Sequence, residues 1–129
     1  MRVLLDTHAI LWWWTDPDQF RKSTLAKLCR RETEVLISCV SAYELALKEK
    51  SGKLPLPKGL LDDFDEIIRD ERWTPLSLTV EHCQIAGRLK TPHKDPFDRL
   101  IGAQALAEKA TLITTDPAFA TFPDLKVLW

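Results

Sequence analysis

The sequence predicts an α/β domain, a mostly parallel sheet covered by helices on both faces. Short apolar runs such as Val3-Leu4-Leu5 and the EVLI stretch at 34–37 are unbroken rather than alternating, the pattern of strands buried on both sides. Between these runs lie longer stretches whose apolar residues recur at helical spacing. The chain has 129 residues, 45% apolar and 29% charged, enough for one core and too short for two ordinary ones. We therefore read residues 1–129 as a single domain.

The elements follow in order. Residues 2–5 read as a buried strand ending at Asp6, and 8–14 as an apolar helix, with Asp16-Pro17 a turn or a helix start. Phe20, Leu25 and Leu28 among charges suggest an amphipathic helix over 18–30. Residues 34–38 form the second strand, and 41–50 the next helix, with Leu45 and Leu47 inward and Gly52 stopping it. An extended connector spans 54–57, and a helix covers 59–69. A strand at 73–76, a helix at 79–89 and a loop at 90–94 come next. A helix over 96–109, a strand at 111–114 and a last strand at 125–128 complete the domain. Strands alternating with helices give the parallel sheet, but not the strand order.

Composition excludes several classes. The longest apolar run, 9–14, is far short of the ~18 residues a membrane span needs. Asp6 and His8 interrupt the N-terminal run before a signal-peptide core forms, so the cytoplasm is the expected compartment. Cys29, Cys39 and Cys83 are scattered, which argues against zinc and disulfides and for buried or inert thiols. A net charge of −1 does not itself announce nucleic-acid binding, although clustered carboxylates would mask basic residues elsewhere.

Four acids stand out: Asp6, Glu44, Asp98 and Asp116, with Asp95 as a fifth. Each has a purely structural alternative. Ser41 and Glu44 fit a capping box. Asp95-Pro96-Phe97-Asp98 fits an N-cap, a first-turn proline and an acid at the positive helix end, and Asp116-Pro117 repeats the signature. Asp6 fits least well, because a charge directly after an apolar strand must be solvated, paired or metal-bound. In an open α/β sheet, ligands bind at the carboxyl edge of the strands. Asp6 and Asp116 end strands there, and Glu44 and Asp98 lie in first turns of helices that start there. Carboxylates gathered at one edge repel unless protonated or neutralised, and hard oxygen ligands suit Mg²⁺ or Mn²⁺ rather than zinc.

At these residues the sequence resembles the PIN-domain family, and within it the VapC-type toxins of toxin–antitoxin pairs. The opening LLDTHAILWWW, the central ISCVSAYELALKEKSGKLPLP and the late DPFDRLIGAQALAEKATLITTD carry the likeness and cover most of the chain. The resemblance implies a three-layer domain with a central, mostly parallel sheet and an acidic metal pocket. By position, Asp6, Glu44, Asp98 and Asp116 match the family's acids, with Asp95 secondary. It further implies a metal-dependent endoribonuclease using Mg²⁺ or Mn²⁺, neutralised by a cognate antitoxin and forming a homodimer.

The expected chemistry places one or two ions on Asp6, Glu44 and Asp98, with Asp116 completing the pocket. Thr7, Thr114 and Thr115 either orient ligands or are turn hydroxyls. Arg99 is expected to pair with an acid or contact phosphate. Lys48, Lys50 and Lys53 either hold RNA backbone or form a solvated helix end. His8, His82 and His93 are expected at the surface or in packing. Trp12, Trp13 and Trp14 are consecutive on a helix and cannot all enter one core, so one is expected at the surface or an interface. A HAD-like phosphatase would want a second aspartate where this chain has His8, and a receiver-like domain would leave Glu44 and Asp98 unexplained. The alternative from another class is a PIN-like protein-binding module that no longer cleaves.

Overall fold

A computed structural model describes residues 1–52, 56, 57 and 59–129. The connector at 54–57 therefore falls partly, and Lys53 wholly, outside the described residues.

Five strands, β1 (Arg2–Leu5), β2 (Glu34–Ser38), β3 (Thr74–Leu76), β4 (Thr111–Ile113) and β5 (Val127–Leu128), form one sheet in the order β3-β2-β1-β4-β5. All neighbouring pairs are parallel. Six helices are described: α1 (Thr7–Thr15), α2 (Lys22–Leu28), α3 (Cys39–Ser51), α4 (Phe64–Asp70), α5 (Val80–Arg88) and α6 (Pro96–Ala107). The expected mostly parallel sheet is thus parallel throughout its described strands.

Side-chain alternation along the strands builds the three layers. Val3 and Leu5 of β1, Val35 and Ile37 of β2 and Ile113 of β4 enter one core with Ile10 of α1, Leu28 of α2, Leu45 of α3 and Phe64 and Ile68 of α4. Leu4, Leu36 and Leu112 point to the other face, into a second core with Ile101 and Ala105 of α6, Phe119 and Phe122. With both faces covered, the strands need apolar residues at every position, which is why their sequences do not alternate.

Several boundaries differ from the sequence reading for local reasons. Residues 18–30 are not one helix: Pro17–Gln19 form a 3-10 turn, Phe20 is extended, and α2 starts only at Lys22. The helix expected over 59–69 begins at Phe64, preceded by turns from Gly59, whose φ is +82°. α3 starts earlier than expected because its N-cap is Ser38, whose hydroxyl accepts the Val40 N–H at 3.0 Å. Ser41 is therefore not a cap but a fully buried residue inside the helix. Gly52 ends α3 with a left-handed φ of +70°, as its position predicts. Leu45 is buried as expected, whereas Leu47 is exposed.

The three tryptophans are all half-buried against the first core, and none is exposed. Trp12 meets Trp129 edge-on, Trp13 packs on Phe20 and Trp73, and Trp14 packs on Phe64 and Trp73. Partners brought in from α4 and the C-terminus widen the covered arc of α1, so consecutive positions are all accommodated. The three cysteines are free and exposed, not buried. No described helix is long and apolar enough to cross a membrane.

Candidate active site

The carboxyl edge of the sheet brings the acids together. Asp6 directly follows β1 and is only 6% exposed. It is the N-cap of α1, its Oδ1 accepting the Thr7 N–H at 2.7 Å, so the cap reading that seemed not to fit it does apply. Its Oδ2 accepts the Thr114 hydroxyl at 2.9 Å from the end of the neighbouring β4. Capping explains its hydrogen bonds but not its charge, since a neutral asparagine caps equally well.

Glu44 reaches the same edge from α3. Its Oε1 accepts the Thr7 hydroxyl at 2.6 Å, and its Oε2 lies 3.2 Å from the Lys48 ammonium. Ser41 lies 3.0 Å from the same Thr7 hydroxyl. Thr7 thus ties the residue after Asp6 to Glu44 and orients a carboxylate, rather than being an idle turn hydroxyl.

Asp98 stands in the first turn of α6, where its N–H donates to the N-cap Asp95 at 3.0 Å. Asp95 is exposed. The Asp98 carboxylate lies 2.7 Å from His93 Nε2, a partner that sequence reasoning assigned to the surface or to packing. A histidine five residues before an acid, across a Pro-containing helix start, was the available signal.

Asp116 caps the 3-10 turn Pro117–Thr121, accepting the Ala118 N–H at 2.9 Å. Its own N–H donates at 3.0 Å to the Thr114 hydroxyl that holds Asp6. Thr114 therefore links the two acids, whereas Thr115 is exposed.

Burial raises the Asp6 pKa against the opposing bonds from Thr114 and Thr7, and the Glu44 charge adds to the rise. Burial, opposed by the His93 bond and reinforced by the charges of Asp95 and Asp6, raises Asp98 to about 6. The native state thus binds protons more tightly than the unfolded chain between the ordinary carboxylate range and about pH 6. Stability of the metal-free protein should therefore rise as pH falls from 7 to 5. Melting curves of wild type and Asp98→Asn should show part of that rise missing in the variant. Parallel curves would mean that Asp98 is ordinarily solvated.

Arg99 makes no ion pair with an acid among the described residues. Its guanidinium donates to the carbonyls of Ala86, Leu89, Thr91 and His93 at 2.9–3.4 Å, closing the end of α5 and the loop that carries His93. A fork of five donors suits a ring of carbonyls, and little of it remains for an acid or a phosphate. His82 is buried, completing the α5 cap with Thr79 and approaching Glu108 at 3.2 Å, while His8 is exposed.

The donor set fits a hard divalent cation: carboxylates from four elements at one edge, two with raised proton affinity. Their oxygens nevertheless point to protein donors, and no three His, Cys, Asp or Glu side chains among the described residues are gathered as a ready metal site. A carboxylate has about four lone-pair sites, so Glu44 and Asp98 can take an ion while Lys48 and His93 keep one contact each. A cleft of about 540 Å³ lined by Glu81, Arg88, Leu89, Leu106 and Asp124 lies on the α5 side and contains none of the four acids. Size alone does not make it the site, because the chemistry lies elsewhere.

A three-layer parallel α/β domain with acids at its carboxyl edge is the architecture of the PIN-domain family, which matches residues 3–125, and the chain belongs to it. That family is generally one of nucleases. Among solved structures the chain is similar to VapBC2 from Rickettsia felis bound to a promoter DNA fragment, with 21% identity and a TM-score of 0.74 over 100% of this chain and 99% of that one. VapBC-1 from nontypeable Haemophilus influenzae gives 20% and 0.71 over 99% and 97%. A toxin–antitoxin complex from Klebsiella pneumoniae gives 17% and 0.61 over 98% and 96%. Comparison with curated protein sequences found no match.

Proposed function

We propose that the protein is a metal-dependent endoribonuclease and the toxin of a toxin–antitoxin pair. The observation that carries the reading is geometric: at one sheet edge Thr7 bonds both Asp6 and Glu44, and Thr114 bonds both Asp6 and Asp116. Structural caps have no need to be gathered in this way, whereas a cation would offset the repulsion of their charges. Family membership supports hydrolysis of a nucleic acid, and the toxin–antitoxin neighbours support an antitoxin partner. Asp6, Glu44 and Asp98 would hold Mg²⁺ or Mn²⁺, with Asp116 closing the group through Thr114 and Asp95 adding charge from the preceding turn. When bound, the metal would lower the pKa of a water and stabilise charge on the attacked phosphate. Thr7 and Thr114 would hold Glu44 and Asp6 in place, and His93 would orient Asp98. The homodimer and the cytoplasmic setting belong to the same reading, by analogy with the family.

Cleavage of a mixed cellular RNA pool with Mg²⁺ or Mn²⁺, wild type against Asp98→Asn, tests the proposal. Wild type should cut, and the variant should lose at least about 100-fold, beyond what losing a mere supporting partner costs a metal site. Equal cleavage by both would remove Asp98 from the chemistry. Cleavage by neither would favour the silent, protein-binding module.

A further inference from the structure

We infer that Lys48 is the side chain that grips the substrate phosphate at this edge; the inference rests on the nuclease reading above. Glu44 and Lys48 stand one turn apart on α3, with 15% and 28% of their side chains exposed and the ammonium 3.2 Å from Glu44 Oε2. The other Glu44 oxygen takes the Thr7 hydroxyl, so this amine sits one carboxylate away from the Asp6 strand end. An RNA phosphodiester brings a further negative charge to an edge that already holds the carboxylates of Asp6, Glu44 and Asp98. Binding there needs a cation that reaches in.

Among the described residues, the other candidates of the sequence reading do not supply it. Arg99 is committed to four backbone carbonyls. Lys50 is exposed and, six residues from Glu44 on the same helix, faces away from it. A lysine ammonium has three donors on a flexible stem, so Lys48 can keep one on Glu44 and offer the others to phosphate oxygens. A solvated ion pair on a helix would contribute little, and it would not need to be half-buried at the acidic edge.

The test uses a fluorescein-labelled single-stranded RNA oligonucleotide of mixed sequence, its anisotropy followed across KCl concentrations in an Asp98→Asn background. Adding Lys48→Met should weaken binding and make the plot of log K against log[KCl] shallower by about 0.7, one phosphate contact on a single strand. Lys48→Arg should keep the slope. In the otherwise unaltered chain, Lys48→Met should lower kcat/KM for RNA cleavage roughly 100-fold, with Lys48→Arg restoring most of it. The rise of its melting temperature with Mn²⁺ should persist, because the metal-binding acids are intact. Unchanged salt slope and unchanged cleavage in Lys48→Met would overturn the assignment while leaving the nuclease reading standing. Absence of both Mn²⁺ stabilisation and cleavage in wild type would overturn the nuclease reading and this inference with it.

Discussion

Replacing Asp6 by asparagine should stabilise the metal-free protein and abolish its response to metal, two effects of opposite sign from one atom. Asp6 is 6% exposed, and burial together with the Glu44 charge disfavours its ionised form. Asparagine keeps the shape: one oxygen still accepts the Thr7 N–H, and the amide donates to the Thr114 hydroxyl, whose proton can turn elsewhere. Removing a buried charge while keeping both contacts should raise stability by on the order of 1 kcal/mol. Mn²⁺ at a hundred times its dissociation constant should stabilise wild type by about 2.7 kcal/mol, because an ion bound only by the folded state shifts the equilibrium by mass action. The variant should melt at the same temperature with and without it, and RNA cleavage should fall by more than about 100-fold. A metal-induced rise in both proteins would show that Asp6 is not a ligand. No rise in either at millimolar Mn²⁺ would turn the edge into a set of capping acids and make the protein a binding module.

Patterns set by the nearest neighbours along the chain were legible in the sequence. Strands buried on both faces announce themselves as unbroken apolar runs, so β1 and β2 were placed to the residue. Gly52 marked the end of α3 because only a left-handed residue ends a helix that way. The common edge of the four acids followed from parallel topology alone. What was illegible depends on contacts between distant segments. Ser41 looked like a cap because Ser-x-x-Glu is the capping signature, yet Ser38 was free to cap one turn earlier and Ser41 went to Thr7. Arg99 went to backbone carbonyls rather than to an acid, and His93 took up Asp98 besides its packing, for a similar reason. The carbonyls left open at the end of α5 and in the loop after it require a donor fork, and Arg99 is the one within reach. His93 is then the residue that meets Asp98. No periodicity encodes which of two neighbouring polar residues a loop will recruit.

Gly102→Ala should destabilise the protein although alanine is the better helix former. A Cβ at Gly102 would stand 2.5 Å from Phe122 Cε2 and 2.6 Å from Cδ2. That ring is 3% exposed and held by Phe119, with centroids 5.1 Å apart, so it has little room to swing. Helix propensity favours alanine by ~1 kcal/mol, while overpacking a core costs about 1–3 kcal/mol. With two contacts this short the overpacking falls in the upper part of that range, so the net loss should be roughly 1–2 kcal/mol, a drop of several degrees in melting temperature. If α6 yields rather than the ring, its first turn moves too, and Asp98 lies four residues before Gly102 on that helix. Cleavage should then fall further than stability alone accounts for, since the folded protein carries a displaced acid. Phe122→Leu, which opens space where the new methyl falls, should cost stability alone but less in combination, a coupling that reports direct contact. Additive effects in that double variant would mean that α6 does not rest on Phe122. The placement of Asp98 would then have to come from its N-terminal cap and His93 alone.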